Sequence, residues 1–374
     1  MASKNNSKVI SEAKPHTIKK FELIETYIKA WAQILMLNSS SSGIVFIDCM
    51  CNSGVYTDDT GKTVYGTPIR VANALLDVAR TYTDKQVHLF FNDYDKRKID
   101  ELKKHLPEDE RNFKIVTTTR DGNELLKWIG PQLNKNSHMH FFLLYDPYDA
   151  SIDWSALLPF FKNWGEVLIN HMISDTVRAV PQVKKEEKKK KYEITYQVDD
   201  IADLVPFGSD KAAYEKRLLK IIDTMKESTD RQYYVAAFPF FNTKNSLVYD
   251  LVHCTSHEKG FSLFKTTAWK TFDDKSSGKN RHGEENQLTF SFDGKIDCRP
   301  IIDEYCYNVS NIASYVQDNF SGRSDVPLDE IWGLLNRHPV FPSDGYKTEI
   351  KNILKNDYAA KVSRRTITFS DKRG

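Results

Sequence analysis

Residues 138–146 read HMHFFLLYD, in which Phe141 to Tyr145 form an unbroken apolar run. Strands of that kind are covered on both faces, the condition of parallel strands flanked by helices. Upstream, GIVFID (43–48), QVHLFFND (86–93) and FKIVTT (113–118) have the same short apolar character. Between them lie GTPIRVANALLDVART (66–81), with Pro68 in its first turn, YDKRKIDELKKHL (94–106) and GNELLKWIG (122–130), all at helical spacing. Alternating strands and helices of this kind predict a doubly wound, Rossmann-like, mostly parallel α/β sheet.

Downstream, ALLPFFKNW (156–164) predicts a helix and EVLINHM (166–172) a fifth strand. The rhythm then breaks. Residues 175–232, with the charged run KKEEKKKK (184–191) and a helix-like AAYEKRLLKIIDTM (212–225), read as an insertion. QYYVAAFPFFN (232–242) and SLVYDLVHCTS (246–256) predict an antiparallel hairpin that closes the sheet, followed by a helix over 260–272 and a polar, irregular stretch to residue 300. Ahead of the first strand, Phe21, Leu23, Ile24, Tyr27, Ile28, Trp31, Ile34 and Leu35 fall on one face of a helix over 16–37. The expected organisation is a helical lead at 1–40, a main domain at 41–320 and a module at 321–374. In that module two helices (328–338, 345–357) precede short β segments around Arg364 and Arg365, the order of a winged helix.

The chain has 374 residues, 40% hydrophobic, 12% aromatic and 28% charged, which excludes a disordered chain and leaves room for one elaborated domain or two. Fifty-three basic against 51 acidic residues give a net charge of +2, so a polyanionic partner requires local positive charge. The five cysteines (49, 51, 254, 298, 306) form no CxxC pair, which argues against a disulfide framework or zinc site and for a reducing cytoplasm. No metal is expected. Cys49 and Cys51 fit buried small hydrophobes better than a reactive pair, and His253, Cys254 and His257 alternate across a strand and its exit. No apolar run reaches the ~20 residues of a membrane span, and the N-terminus lacks a secretory apolar core.

In a doubly wound sheet, ligands bind beyond the carboxyl ends of the strands. Asp48 ends the first strand and is followed by Cys49-Met50-Cys51-Asn52-Ser53-Gly54, a turn that brings backbone close to a ligand without matching GxGxxG. Asp93 and Asp95, after the second strand, can accept from ribose hydroxyls or cap the following helix; Asp121 can meet an adenine amino group or cap the helix at 122. After the fourth strand, Asp146 and the carbonyl fixed by Pro147 can accept from an exocyclic amine while Tyr148 stacks on a base. Lys347, Lys351 and Lys355, spaced four apart, form with Arg364 and Arg365 a stripe suited to phosphates or to plain solvation.

FIDCMCNSGVY, GTPIRVANALL, FFNDYD, LLYDPYDA, VLINHMISD and VYDLVHCTSHEKGFSLFKTTAW, in this order, resemble the three-Cys-motif partner family (TcmP), whose members resemble class I S-adenosylmethionine-dependent methyltransferases. The resemblance covers most of the chain. It implies S-adenosylmethionine as cofactor and a partner protein resembling radical S-adenosylmethionine enzymes; together with the strand-end and basic residues above, the expectation is methylation of an amino group in nucleic acid, DNA or RNA. It implies that Asp48 and Gly54, with Cys51 and Asn52 between them, belong to the cofactor loop, Asp93 and Asp95 to the ribose site, and Asp146, Pro147 and Tyr148 to the catalytic strand end. Where the family has Ala-Gly, this chain has Met50-Cys51-Asn52-Ser53, bulkier residues in the loop that wraps the methionine moiety. DPY at 146–148 also lacks the second proline of the DPPY motif found in amino-directed DNA methyltransferases. The alternative is a catalytically silent protein that uses this fold to bind nucleic acid or a partner.

Overall fold

A computed structural model describes residues 8–133, 138–162, 165–172, 186–201, 211–227, 232–279 and 306–371. Cys298, Ile173 to Asp175 of the fifth-strand motif, Lys184 and Lys185, and most of the irregular stretch at 273–300 lie outside them.

The centre is a seven-stranded sheet. In chain order, β1 is Ser11–Glu12, α1 Pro15–Met36, β2 Gly43–Asp48, β3 Val55–Thr57, β4 Thr63–Tyr65, α2 Thr67–Thr81, β5 Gln86–Asn92, α3 Lys96–Lys103, β6 Phe113–Thr118, α4 Gly122–Leu133, β7 Met139–Tyr145, α5 Trp154–Leu157 and β8 Gly165–His171. Then follow α6 Glu186–Tyr196, α7 Lys211–Glu227, β9 Tyr234–Phe241, β10 Leu247–Thr255 and α8 Glu258–Thr271. The large sheet runs β6-β5-β2-β7-β8-β10-β9. Its first five strands are parallel, and β10 pairs antiparallel with both β8 and β9. This is the doubly wound sheet with a closing hairpin that the sequence predicts. The chain turns back at β2, which pairs with β5 on one side and β7 on the other, so the crevice of the switch point opens beyond Asp48 and Tyr145.

Alternation along the strands divides the core between two faces. Ile44, Phe46, Phe142 and Leu144 face one cluster with α1, α2 and α8, whereas Val45, Ile47, Phe141 and Leu143 face another with α4 to α7. The central strands β2 and β7 are therefore buried over most of their length, because each face meets a helical layer, whereas the edge strand β6 is only partly covered. α1 packs against both α2 and α8. The insertion is tied down where it is described: Thr195 Oγ1 accepts from Ile152 N–H at 2.9 Å, and Trp154 Nε1 donates to the Thr195 carbonyl at 2.8 Å. The expected helix at 156–164 is shorter, formed by α5 and a 3-10 turn at Phe160–Lys162.

Two features go beyond the expectations. The chain after Gly54 folds into the hairpin β3–β4 before α2, and β1 adds to it in parallel, so the N-terminus crosses beside the loop at 48–54. At the other end, α9 (Val309–Phe320) precedes β11 (Val326–Pro327), α10 (Leu328–Arg337), α11 (Lys347–Asp357), β12 (Lys361–Val362) and β13 (Thr366–Thr368). The three strands pair in the order β11-β13-β12. α9 packs on α11, and the segment's apolar residues join the cluster beneath α8, where Trp269 meets Phe341 and Tyr346.

Candidate functional site

Asp48, Asp146 and Asn170 stand at or just beyond the carboxyl ends of β2, β7 and β8, three strands adjacent in the sheet. They line a cavity of about 260 Å³ together with Lys20 of α1, Met50 to Asn52, Thr67 and Pro68 at the start of α2, Tyr148 and Tyr249. Lys20 Nζ lies 2.8 Å from Asp146 Oδ2, and Asn170 Nδ2 donates to Asp146 Oδ1 at 2.6 Å. The side chain of Lys20 is only 8% exposed, and its ammonium also lies over the Tyr249 ring. Asn170 Oδ1 is buried without a partner among the described residues. An acceptor of that kind is costly unless a donor meets it, so it marks where a ligand N–H or O–H fits.

Asp48 accepts from Met50 N–H at 3.1 Å. Its burial, reinforced by the Asp146 and Asp93 carboxylates and opposed by Met50 N–H and Lys20, pushes its carboxyl up to about 8. Near neutral pH it therefore carries much of its proton, and a cation placed beside it would favour the ionised form.

The loop from 49 to 54 is held by its neighbours. Cys51 N–H donates to the Asn92 carbonyl at 2.9 Å, and Asn92 Nδ2 donates to the Cys49 and Arg120 carbonyls, both at 3.0 Å. Asn92 Oδ1 in turn accepts from Thr118 Oγ1 and Arg120 N–H, so one buried amide ties three strand ends together. Asn52 has φ 60 and Gly54 φ 66. Asn is among the side-chain-bearing residues that best tolerate this left-handed backbone, and at Gly54 a Cβ would meet Leu102 Cδ1 at 2.8 Å. Asn52 thus takes up the left-handed turn of this loop without a glycine. Cys49 and Cys51 are buried, and burial pushes both thiols up, as expected of small hydrophobes and not of a reactive pair.

The structure places the other candidates as follows. Asp93 is 1% exposed; Oδ1 accepts from Asp95 N–H at 2.9 Å, and Oδ2 from Asn52 N–H at 3.0 Å and from the Tyr148 hydroxyl. Asp95 caps α3 by accepting from Arg97 N–H and pairs with the Arg97 guanidinium, which holds its carboxyl down at about 2. Asp121 accepts from Glu124 N–H at 3.0 Å in the first turn of α4. These last two carboxylates are engaged as helix caps, and neither lines the cavity. Pro147 does line it. Lys347 pairs with Asp344, Lys347 and Lys351 lie over the Trp332 ring, and Lys355 is exposed. Arg364 and Arg365 are exposed at the turn between β12 and β13.

Sequence reasoning missed Lys20, Thr67 and Asn170, which line the cavity, Asn92, which holds its loop, and Lys98, whose Nζ lies 3.9 Å from Asp93 Oδ2. Lys20 had a signal: with Ile24, Tyr27 and Trp31 it falls on the apolar face of α1 at spacings of four, three and four, where a lysine needs a buried partner. His253 serves elsewhere, its Nε2 donating to Glu166 Oε2 at 2.8 Å in a buried cluster with Tyr27. Among the described residues no group of side chains has the makings of a metal site, and no helix is long and apolar enough to cross a membrane.

No protein-family model matches the chain, and no curated protein matches it. Among solved structures, a Legionella pneumophila protein described by the family model DUF519 is similar at TM-score 0.40 and 12% identity, over 69% of this chain and 92% of that one. Human methyltransferase-like protein 13 in complex with SAH is similar at TM-score 0.32 and 8% identity, over 73% of this chain and 97% of that one. A SAM-dependent methyltransferase from Anabaena variabilis follows at TM-score 0.26 and 7% identity, over 57% and 76%. At such scores the chemistry rests on the residues of the site itself.

Proposed function

We propose that this chain is an S-adenosylmethionine-dependent methyltransferase that acts on an amino group of a nucleic-acid base. The observation that supports this most is the Lys20–Asp146–Asn170 cluster at the switch point of the sheet, with the Oδ1 of Asn170 still short of a donor. Two carboxylates and an amide oxygen opposite one ammonium suit a ligand that carries an ammonium, a carboxylate and a second positive centre. The residues fit such a cofactor: Lys20 for its carboxylate, Asn170 and Asp146 for its ammonium or for the target amine, Asp48 beside its positive sulfur, and Asp93 for its ribose. Bound there, the cofactor supplies an electrophilic methyl group.

The chain's own part is orientation. Asp146 and the carbonyl held by Pro147 accept the two N–H bonds of an exocyclic amine, which turns its lone pair toward the cavity. Tyr148, 64% exposed, offers a face for the base. Alignment of this kind would supply much of the effect, because holding both N–H bonds localises a lone pair that is otherwise delocalised into the base, and Asp146 would accept the proton that the nitrogen gives up as the methyl group is transferred. The exposed Arg364 and Arg365, on the β-turn of a winged-helix-like module at the C-terminus, supply charge for the phosphate backbone. The resemblance to the three-Cys-motif partner family adds a radical S-adenosylmethionine-type protein as partner, which co-purification would test.

One observation favours the second reading, a silent binding protein: both oxygens of Asp93 are already engaged by the chain. Incubation with methyl-tritiated S-adenosylmethionine and mixed single-stranded RNA and DNA separates the two. Methylation predicts label in nucleic acid that falls at least about 100-fold in Asp146→Ala, within the range of orientation effects. Nucleic-acid binding without label, surviving both Asp93→Ala and Asp146→Ala, would establish the second.

A further inference from the structure

Asp93 is the carboxylate best placed to receive a ribose, yet it does not line the cavity. Two residues that do, Asn52 through its backbone N–H and Tyr148 through its hydroxyl, are the ones that bond its Oδ2. The donors on Asp93 differ in kind. Asn52 N–H and Asp95 N–H belong to backbone fixed by the loop at 49–54 and by the start of α3, and cannot leave without unfolding those turns. The Tyr148 hydroxyl sits on a side chain that is 64% exposed and can rotate about two bonds. Lys98 supports it in this position: its Nζ lies 4.9 Å from the centre of the Tyr148 ring, 3.3 Å from its hydroxyl and 3.9 Å from Asp93 Oδ2. Desolvation of its hydroxyl end, together with the hydrogen bond to the Asp93 carboxylate, pushes the phenol above its ordinary range, so it remains a donor. The cavity, about 260 Å³ as it stands, lies near the lower limit of roughly 300 Å³ for small-molecule sites. Moving Tyr148 off Asp93 both enlarges the cavity and uncovers the acceptor.

We infer that Tyr148 is a latch with two positions. In one, its hydroxyl occupies Asp93 and closes the ribose end of the site. In the other, a ribose hydroxyl has replaced the phenol on Asp93, and the ring is released beside Asp146, where a base can stack on it. The inference rests on the methyltransferase reading and adds an order to it: the nucleoside ligand enters first, and its entry creates the surface that the base needs. The exchange swaps one hydroxyl donor for another on the same carboxylate, so the hydrogen bond itself is nearly neutral, and the closed position appears as a reduced apparent affinity for the ligand.

Tyr148→Phe keeps the ring and removes the hydroxyl that competes for Asp93. Calorimetric titration of the full chain with S-adenosylhomocysteine is expected to give a dissociation constant about tenfold lower for Tyr148→Phe than for wild type. Tyr148→Ala, which also removes the competitor, is expected to bind at least as tightly as wild type; its side chain is exposed, so both variants retain the fold, which circular dichroism verifies. In a second readout, fluorescence anisotropy of a single-stranded oligonucleotide, S-adenosylhomocysteine tightens binding to wild type and has a smaller effect on Tyr148→Phe. If wild type binds the ligand and Tyr148→Phe binds it equally or more weakly, the latch is overturned and the cofactor site stands. If neither protein binds it, the cofactor site itself is overturned and the latch with it.

Discussion

Lys20 and Asp48 illustrate how little a single position says without its neighbours. Asp48 was visible in the sequence as an acid at the end of an apolar strand, but its chemistry comes from its burial there, reinforced by the Asp146 carboxylate brought alongside by β7. Lys20 is legible only as a lysine on the apolar stripe of α1 that needs a buried partner; which partner, Asp146, is supplied by the fold. The raised carboxyl of Asp48 gives a prediction with a definite sign. At pH 7, below its value of about 8, Asp48 is mostly protonated, and a neighbouring sulfonium lowers that value, so S-adenosylmethionine binding releases up to about one proton. S-adenosylhomocysteine, whose sulfur is neutral, releases fewer. Calorimetry in two buffers of different ionisation heat reads the difference; equal proton release by both ligands would remove Asp48 from the sulfur's surroundings.

Among the elements, long apolar strands and their helices were legible because both faces of the sheet are covered and periodicity survives. The hairpin β3–β4 was not: its strands are three residues each, and the strand that Tyr56 and Thr57 meet on their other side, β1, lies more than forty residues earlier. Nor was α9, which begins at an Asn308 capping box just after residues outside the described set. Lys265 on α8 is a further case. Buried to the point that desolvation draws it down to about 7, it donates to the carbonyls of Leu335, Asn336, His338 and Phe341 at 2.7 to 3.2 Å, which anchors the end of α10 to the layer beneath the sheet. Lys265→Met keeps the length and deletes the donor, leaving four carbonyls short of it. Urea unfolding is expected to show a loss of about 3 kcal/mol. A loss under about 0.5 kcal/mol, the scale of ordinary surface changes, would mean that the anchor carries no stability.

For the whole molecule, the near-neutral total of 53 basic against 51 acidic side chains conceals its arrangement. Carboxylates collect at the strand ends, while Arg364 and Arg365 stand exposed at the far end of the chain. The expected boundary at 321 passes between α9 and α11, which pack on one another, and the C-terminal apolar residues share a core with α8. Truncation would therefore expose core, and point substitution is the cleaner test. Arg364→Ala with Arg365→Ala is expected to lower the slope of log affinity against log salt for an oligonucleotide by about 1.4 to 1.8, the value for two lost phosphate contacts, with stability unchanged. An unaltered slope would move the nucleic-acid contact elsewhere.

The claim on which the rest depends is that the crevice beyond β2, β7 and β8 holds S-adenosylmethionine. Isothermal titration of the full chain with S-adenosylmethionine or S-adenosylhomocysteine tests it directly. The site described here predicts saturable one-to-one binding with a dissociation constant on the order of 10 μM, about 7 kcal/mol. No binding heat for either ligand at millimolar concentration would contradict it.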